Sequence, residues 1–217
     1  MKLNTDLQKR VVVFTENLPW IDSPMGGVQR RMLERDGDEV ARATSIVRYA
    51  PNSYFSTHTH GGGEEFLVLD GIFSDEQGDY EPGTYIRNPV NSRHTPHSKN
   101  GCTILVKLWQ MNPQDQQRIL ISTTQAKWLL GKVPGLQVMP LHKYQTEEVA
   151  LMKLATGTTL PSNEHGGGEE IFVLEGVLKD EEGIYPKGTW LRNPPGYINT
   201  LSSHENCLIY RKIGHLI

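Results

Sequence analysis

Two stretches of this sequence combine metal-ligand side chains with backbone freedom. The first is His58-Thr59-His60-Gly61-Gly62-Gly63-Glu64-Glu65, and its altered counterpart is Asn163-Glu164-His165-Gly166-Gly167-Gly168-Glu169-Glu170. Two histidines one residue apart share a face of an extended strand, and the glycines let the chain turn before the carboxylate arrives. Further along, His94 and His97 offer two more imidazoles. Read from the residues alone, the ligand set of the first half is His58, His60, Glu64 or Glu65, and His94 or His97. Neutral imidazoles suit zinc, iron, nickel and copper, and one carboxylate also admits manganese. With one carboxylate the site keeps net positive charge, so a divalent ion there stays Lewis acidic and takes a water or substrate oxygen where a position is open.

These residues need strands to hold them. An apolar run at Val11 to Phe14 reads as an edge or leading strand, and Trp20 after it reads as core. Val40 to Ala50 alternates as a strand, and Pro51-Asn52-Ser53 then turns the chain into the histidine pair. Glu64 to Asp70 is apolar on both faces, hence buried, and ends at Gly71. Short strands and turns follow through Glu81-Pro82-Gly83, Thr84 to Pro89 and Ser92 to His97, and Gly101 to Gln110 closes the half. Only short segments such as 113–117 or 124–129 have the pattern of a helix.

A shift of 105 residues lays GGGEEFLVLDG on GGGEEIFVLEG, EPGTYIRNP on PKGTWLRNP, and GCTILVK on ENCLIYRK without an internal gap. This is an internal repeat. Upstream, LPWIDSPMGGVQ matches AKWLLGKVPGLQ more loosely, and the junction falls near Asn112 to Gln117. The expected organisation is all-β: two jelly-roll barrels, 1–115 metal-competent and 116–217 with a degenerate site, each closed or doubled to hide its strand edges.

Charge and composition narrow the partners. A formal net charge of −3 and a pI near 6.2 give no electrostatic reason to expect nucleic acid or an anionic membrane surface. Met1 to Arg10 lacks the apolar core of a secretory signal, and no run reaches the roughly eighteen apolar residues of a membrane span. A cytoplasmic protein is expected. Cys102 and Cys207 open matching apolar runs and read as small core residues rather than a disulfide or thiolate ligands.

The ligand pattern resembles the cupin superfamily, whose first motif is HxH, three or four residues, E, six residues, G. His58, His60, Glu64 and Gly71 match it. Its second motif, PxG, two residues, H, falls on Pro89 to His94, with Asn91 where the family usually has glycine. The resemblance therefore selects Glu64 over Glu65 and His94 over His97. Glu65 faces the other side of the same strand and becomes an ion-pair partner or a group behind the ligands; His97 is either a group behind the ligands or at the rim, or an exposed loop histidine.

More narrowly, the stretch from His58 to Ser98 is similar to the cupin domain of ChrR-type anti-sigma factors, which in that family binds zinc. The resemblance implies two tandem cupin barrels, double-stranded β-helices, with one divalent transition metal: zinc first, with iron, manganese or nickel as alternatives. In that family, sigma binding belongs to a separate helical domain with a histidine and cysteine zinc motif. No CxxC occurs here and only a short segment precedes the first barrel pattern, so a sigma-factor partner is not carried over.

In the second half Asn163 replaces His58, His165 matches His60, Glu169 matches Glu64 and Asn199 replaces His94. One imidazole and one carboxylate bind a transition metal weakly, so this site is expected to be empty; Glu164 or His204 could rescue it, although neither is at a family ligand position. Arg87 and Arg192, Gly83 and Gly188 and the triple glycines occur in both halves. Shared features of a metal-competent and a metal-poor half point to barrel building: positive-φ turns, or an arginine paired with a tandem glutamate. Arg87 as an anion contact in the pocket is the alternative. His142 and His215 fit no ligand pattern.

Two functions follow. One is a regulatory cupin sensing a small molecule or oxidant, without nucleic acid or membrane partners, as a monomer or homodimer. The other is an Fe(II)-dependent dioxygenase or other oxidoreductase acting on a small oxygenated substrate.

Overall fold

The computed structural model describes residues 1–164 and 166–216. Among them the chain is almost entirely β-strand, with a single 3-10 turn at Thr15–Asn17 and no α-helix. In the two candidate helices, residues 113–117 and 124–128 form turns and irregular chain instead, and Leu129 opens a short strand. No helix is long and apolar enough to cross a membrane.

The chain forms two compact units, one from Met1–Thr5 with Leu18–Ala126, the other from Asp6–Asn17 with Lys127–Ile217. In the first unit, a large antiparallel sheet runs Val28–Gly37, Ala41–Tyr49, Cys102–Leu108, Glu64–Gly71, Thr84–Asn88, Ile119–Ser122. A smaller sheet runs Gly78–Tyr80, Phe73–Asp75, His97–Ser98, Ser53–Tyr54, and a two-stranded ladder joins His58–Thr59 to Arg93–His94. The core lies between them: Val28, Val47, Phe66, Val68, Ile86, Ile104 and Val106 from the large sheet meet Phe73 and Tyr80 from the small one. Alternation explains this, because Phe66 and Val68 share the inward face of their strand with Glu64.

The second unit repeats the plan. Its large sheet runs Leu129–Leu130, Leu136–Tyr144, Glu147–Leu154, Cys207–Ile213, Glu169–Glu175, Thr189–Asn193, Val11–Phe14. Ile171, Val173, Leu191 and Ile209 from it pack with Leu178 and Tyr185. In both units a left-handed glycine ends the central strand. Gly71 has φ +70°, and a Cβ there would lie 2.1 Å from the Gly101 carbonyl oxygen; at Gly176 the corresponding approach, to Asn206, is 1.9 Å.

The leading strand of each repeat completes the other barrel. Val11–Phe14 pairs with Thr189–Asn193, placing Val11 opposite Arg192. Ile119–Ser122 pairs with Thr84–Asn88, placing Ile119 opposite Arg87. Arg10-Val11-Val12-Val13-Phe14 and Arg118-Ile119-Leu120-Ile121-Ser122 are thus equivalent elements, each lent across the repeat. Compared with a cut after residue 115, residues 6–17 and 116–126 change sides.

Three side chains differ from their sequence reading or complete it. Trp20 is only partly buried, held between the guanidinium groups of Arg31 and Arg48 at 4.5 and 4.2 Å from its ring centroid, so it is a cation–π platform rather than core. Cys102 and Cys207 are both free and buried, and burial pushes their thiols up to about 11 and about 12.

Candidate metal centre

His58, His60, Glu64 and His94 converge in the first unit, each offering a ligand atom within 4.8 Å of the others. Three different elements deliver them. The short ladder sets His58 directly opposite His94, while the turn after His60 brings Glu64 in at the start of the central strand. Backbone bonds hold that turn closed: His60 N–H donates to the Ser92 carbonyl at 2.9 Å, and Asn91 N–H donates to the His60 carbonyl at 2.9 Å. Asn91 has φ +68°, and the equivalent Gly196 has φ +79°. The asparagine therefore adopts the left-handed conformation that the motif normally assigns to glycine, which asparagine tolerates better than other side chains.

The three imidazole rings face one another at centroid separations of 4.8, 5.2 and 4.7 Å. His58 Nδ1 lies 2.9 Å from the Ser56 carbonyl and His94 Nδ1 lies 3.2 Å from Asp75 Oδ2. Each contact calls for a proton on Nδ1, which leaves the Nε2 lone pair available. His60 Nε2 and His94 Nε2 are buried and make no hydrogen bond, although Glu64 Oε2 lies 3.4 and 3.5 Å away. Buried polar nitrogens without a partner are costly, and here they surround a carboxylate oxygen. This donor set fits a transition-metal ion.

Electrostatics tune the two buried imidazoles in opposite directions. Burial depresses the His60 pKa, with Glu64 opposing and the neighbouring histidines reinforcing the shift. Burial also disfavours charge on His94, but the Asp75 hydrogen bond and the carboxylates of Glu64, Asp75 and Glu76 outweigh it, so its pKa is raised. Asp75 is itself buried, which works against its charge; the bonds from His94, the Gln77 N–H and the Tyr80 hydroxyl prevail and lower its pKa. Tyr80 donates to Asp75 Oδ1 at 2.8 Å and is in turn hydrogen-bonded by Arg118. An ionised carboxylate behind a ligating imidazole fixes its orientation and raises its basicity.

Asp75 has no place in either sequence motif. Its only signal was recurrence, as Asp180 with Tyr185 in the second repeat, and recurrence alone suggests barrel building. Glu64 is oriented by Asn88 Nδ2, which donates to Oε2 at 3.0 Å. Glu65 points to the opposite face, where Arg87 Nη1 donates to it at 2.7 Å and Arg87 Nη2 donates to Asp115 at 2.8 Å. Arg87 is fully buried in this ion-pair network, so the anion-contact alternative is corrected. His97 is exposed and does not join the cluster.

In the second unit the ladder recurs, with Asn163 opposite Asn199. Asn199 and Glu169 are buried, while His165 lies outside the described residues. His204 is exposed. Among the described residues no second group of metal-ligating side chains forms. His142 is buried, and His215 Nε2 lies 3.4 Å from Glu170.

The ChrR cupin-like domain model matches residues 8–112 and again 116–217. The chain belongs to the ChrR cupin-like family. It is a bicupin, and the likeness of the His58 to Ser98 stretch extends to both repeats. No curated protein matches the sequence. Among solved structures, a proposed dioxygenase from Nostoc punctiforme matches with a TM-score of 0.80 at 13% identity, covering 95% of this bicupin and 82% of that chain. Salicylate 1,2-dioxygenase from Pseudoaminobacter salicylatoxidans, solved as gentisate adducts, matches at 0.66 and 12% identity over 96% and 81%. A cupin 2 conserved barrel protein from Leptotrichia buccalis gives 0.64 at 12% over 98% and 99%. At these identities the likeness concerns the fold.

Proposed function

We propose that this bicupin is a metal-binding regulatory protein whose first barrel holds one divalent transition-metal ion through His58, His60, Glu64 and His94. Zinc is the first expectation, and iron, manganese or nickel suit the same donors. The observation that supports this best is the pair of buried, unpartnered Nε2 atoms of His60 and His94 beside Glu64. When bound, such an ion supplies a Lewis-acid centre for a ligand oxygen. The protein's part is to fix the donors beforehand: Ser56 and Asp75 set the tautomers of His58 and His94, and Asn88 orients Glu64. His58 is the least buried of the four, and a small oxygen-donor molecule or oxidant is expected to arrive beside it, past the Phe55 ring 5.5 Å away. We place the protein in the cytoplasm, as a monomer or homodimer, with this small molecule as its partner rather than nucleic acid or membrane.

The likeness to salicylate 1,2-dioxygenase favours a second reading, an Fe(II)-dependent oxygenase. Four protein donors leave two positions of a six-coordinate ion, the number an oxygenase needs. The test is oxygen uptake by anaerobically purified, iron-loaded protein given a hydroxylated aromatic or a diketone. The regulatory reading expects no uptake above an apo control, together with a shift in thermal stability when the effective small molecule or oxidant is added. Sustained turnover that disappears in the His60→Ala, Glu64→Ala double variant overturns it in favour of the enzyme.

A further inference from the structure

The second barrel keeps the acidic framework of the first while losing two of its three imidazoles, asparagine standing in place of His58 and His94. Glu169 stands at the position of Glu64, with Asn193 Nδ2 donating to it at 2.8 Å as Asn88 does to Glu64. Asp180 stands at the position of Asp75; Tyr185 donates to it at 2.6 Å, and Asn199, in the place of His94, donates at 3.1 Å. Glu169 and Asp180 are buried, with side chains 1% and 0% exposed. Two buried carboxylates with no compensating cation would be strongly unfavourable.

Each of them has an arginine. Arg211 Nε donates to Glu169 Oε1 at 2.6 Å, and Arg10 Nη2 donates to Asp180 Oδ2 at 2.5 Å. Register shows what is new about Arg211. It pairs across the sheet with Ile171, as Val106 pairs with Phe66 in the first barrel, so it replaces a residue of the first barrel's apolar core. Arg10 is the equivalent of Arg118, which in the first barrel hydrogen-bonds Tyr80. A guanidinium cannot lose its proton in a protein, so this charge is permanent.

We propose that Arg211 is the resident cation of the second barrel, holding Glu169 in place of a metal ion and closing that barrel to transition metals. The Asn193 bond to Oε2 of Glu169 has its counterpart on Glu64, so what sets the second carboxylate apart is Arg211, which already supplies positive charge at Oε1 before any ion arrives. Arg10, delivered by the exchanged leading strand, neutralises the second carboxylate in the same way. The loss of histidines is then one half of a substitution whose other half is the gain of a guanidinium. The comparison with the first barrel rests on the metal-binding reading above; the pairing of Arg211 with Glu169 does not.

Thermal denaturation in chelator tests the pairing without any metal. Arg211→Met should lower Tm by on the order of 10 °C, because it strands a buried carboxylate, and adding Glu169→Gln should recover most of the loss. A Tm unchanged by Arg211→Met, or a double variant no better than the single, overturns the proposal. The reciprocal transplant reads metal content. Val106→Arg should take the first barrel from one ion per chain to none, whereas Val106→Met should retain it. Full metal content in a folded Val106→Arg protein overturns the claim that a guanidinium here excludes metal. If the unmodified protein holds no metal, the functional reading fails while the chelator experiment still decides the role of Arg211.

Discussion

Imidazole tautomers decide what the first barrel can hold. His58 and His94 each bind an acceptor through Nδ1, so the nitrogens turned toward Glu64 are the ones left with lone pairs. The residues alone left Glu64 or Glu65 and His94 or His97 open, and it was the resemblance to the cupin motifs that selected Glu64 and His94, the two that stand with His58 and His60 in the cluster. Asp75 was not legible: it meets His94 only when the strand Phe73–Asp75 packs beside the short ladder, and no sequence spacing encodes that meeting. If Asp75 orients His94, Asp75→Asn should weaken metal affinity by about 10–100-fold while leaving the fold intact, measured by competition with a chromophoric chelator. An affinity within twofold of the parent would show that Ser56, Asn88 and the strand geometry suffice.

At the scale of elements, the central strand Glu64–Gly71 does two jobs by alternation, aiming Glu64 into the barrel and Glu65 outward onto Arg87. Arg87 and Glu65 are also directly opposite across the sheet, and Asp115 takes the second arm of the guanidinium. The arginine paired with a tandem glutamate was readable from the repeat; the partner Asp115 was not, since it lies in the junction between the repeats. Removing one member of such a buried network leaves uncompensated charge, so Arg87→Met should cost about 3–5 kcal/mol, measured by urea denaturation of the apo protein. A loss below about 1 kcal/mol would mean that the network is replaceable by apolar packing. The strand Val28–Gly37 shows why some elements were illegible. Its sequence VQRRMLERDG carries charge at half of its positions, and a register shift between Met32 and Glu34 breaks the period of two.

The whole molecule is organised by repetition and exchange. The internal repeat announced two similar barrels, because equivalent strands need equivalent side chains to fill equivalent cores. It did not announce that Val11–Phe14 and Ile119–Ser122 each belong to the barrel of the other repeat, since pairing partners on an edge strand leave no trace in spacing. The exchange predicts how the chain can be divided. A fragment of residues 18–126 retains the edge strand Ile119–Ser122 and should give a cooperative unfolding transition by circular dichroism. A fragment of residues 1–115 exposes the edge of Thr84–Asn88 and should aggregate or unfold without cooperativity. Equal stability of the two would contradict the exchange. Metal content tests the central claim most directly, using elemental analysis of full-length protein prepared without tag or chelator, with the double variant His58→Asn, His94→Asn beside it. The account predicts one transition-metal ion per chain, lost in the double variant, whose first barrel then carries the asparagines of the second. Two ions per chain, none under metal-replete conditions, or one ion retained by the double variant would contradict it.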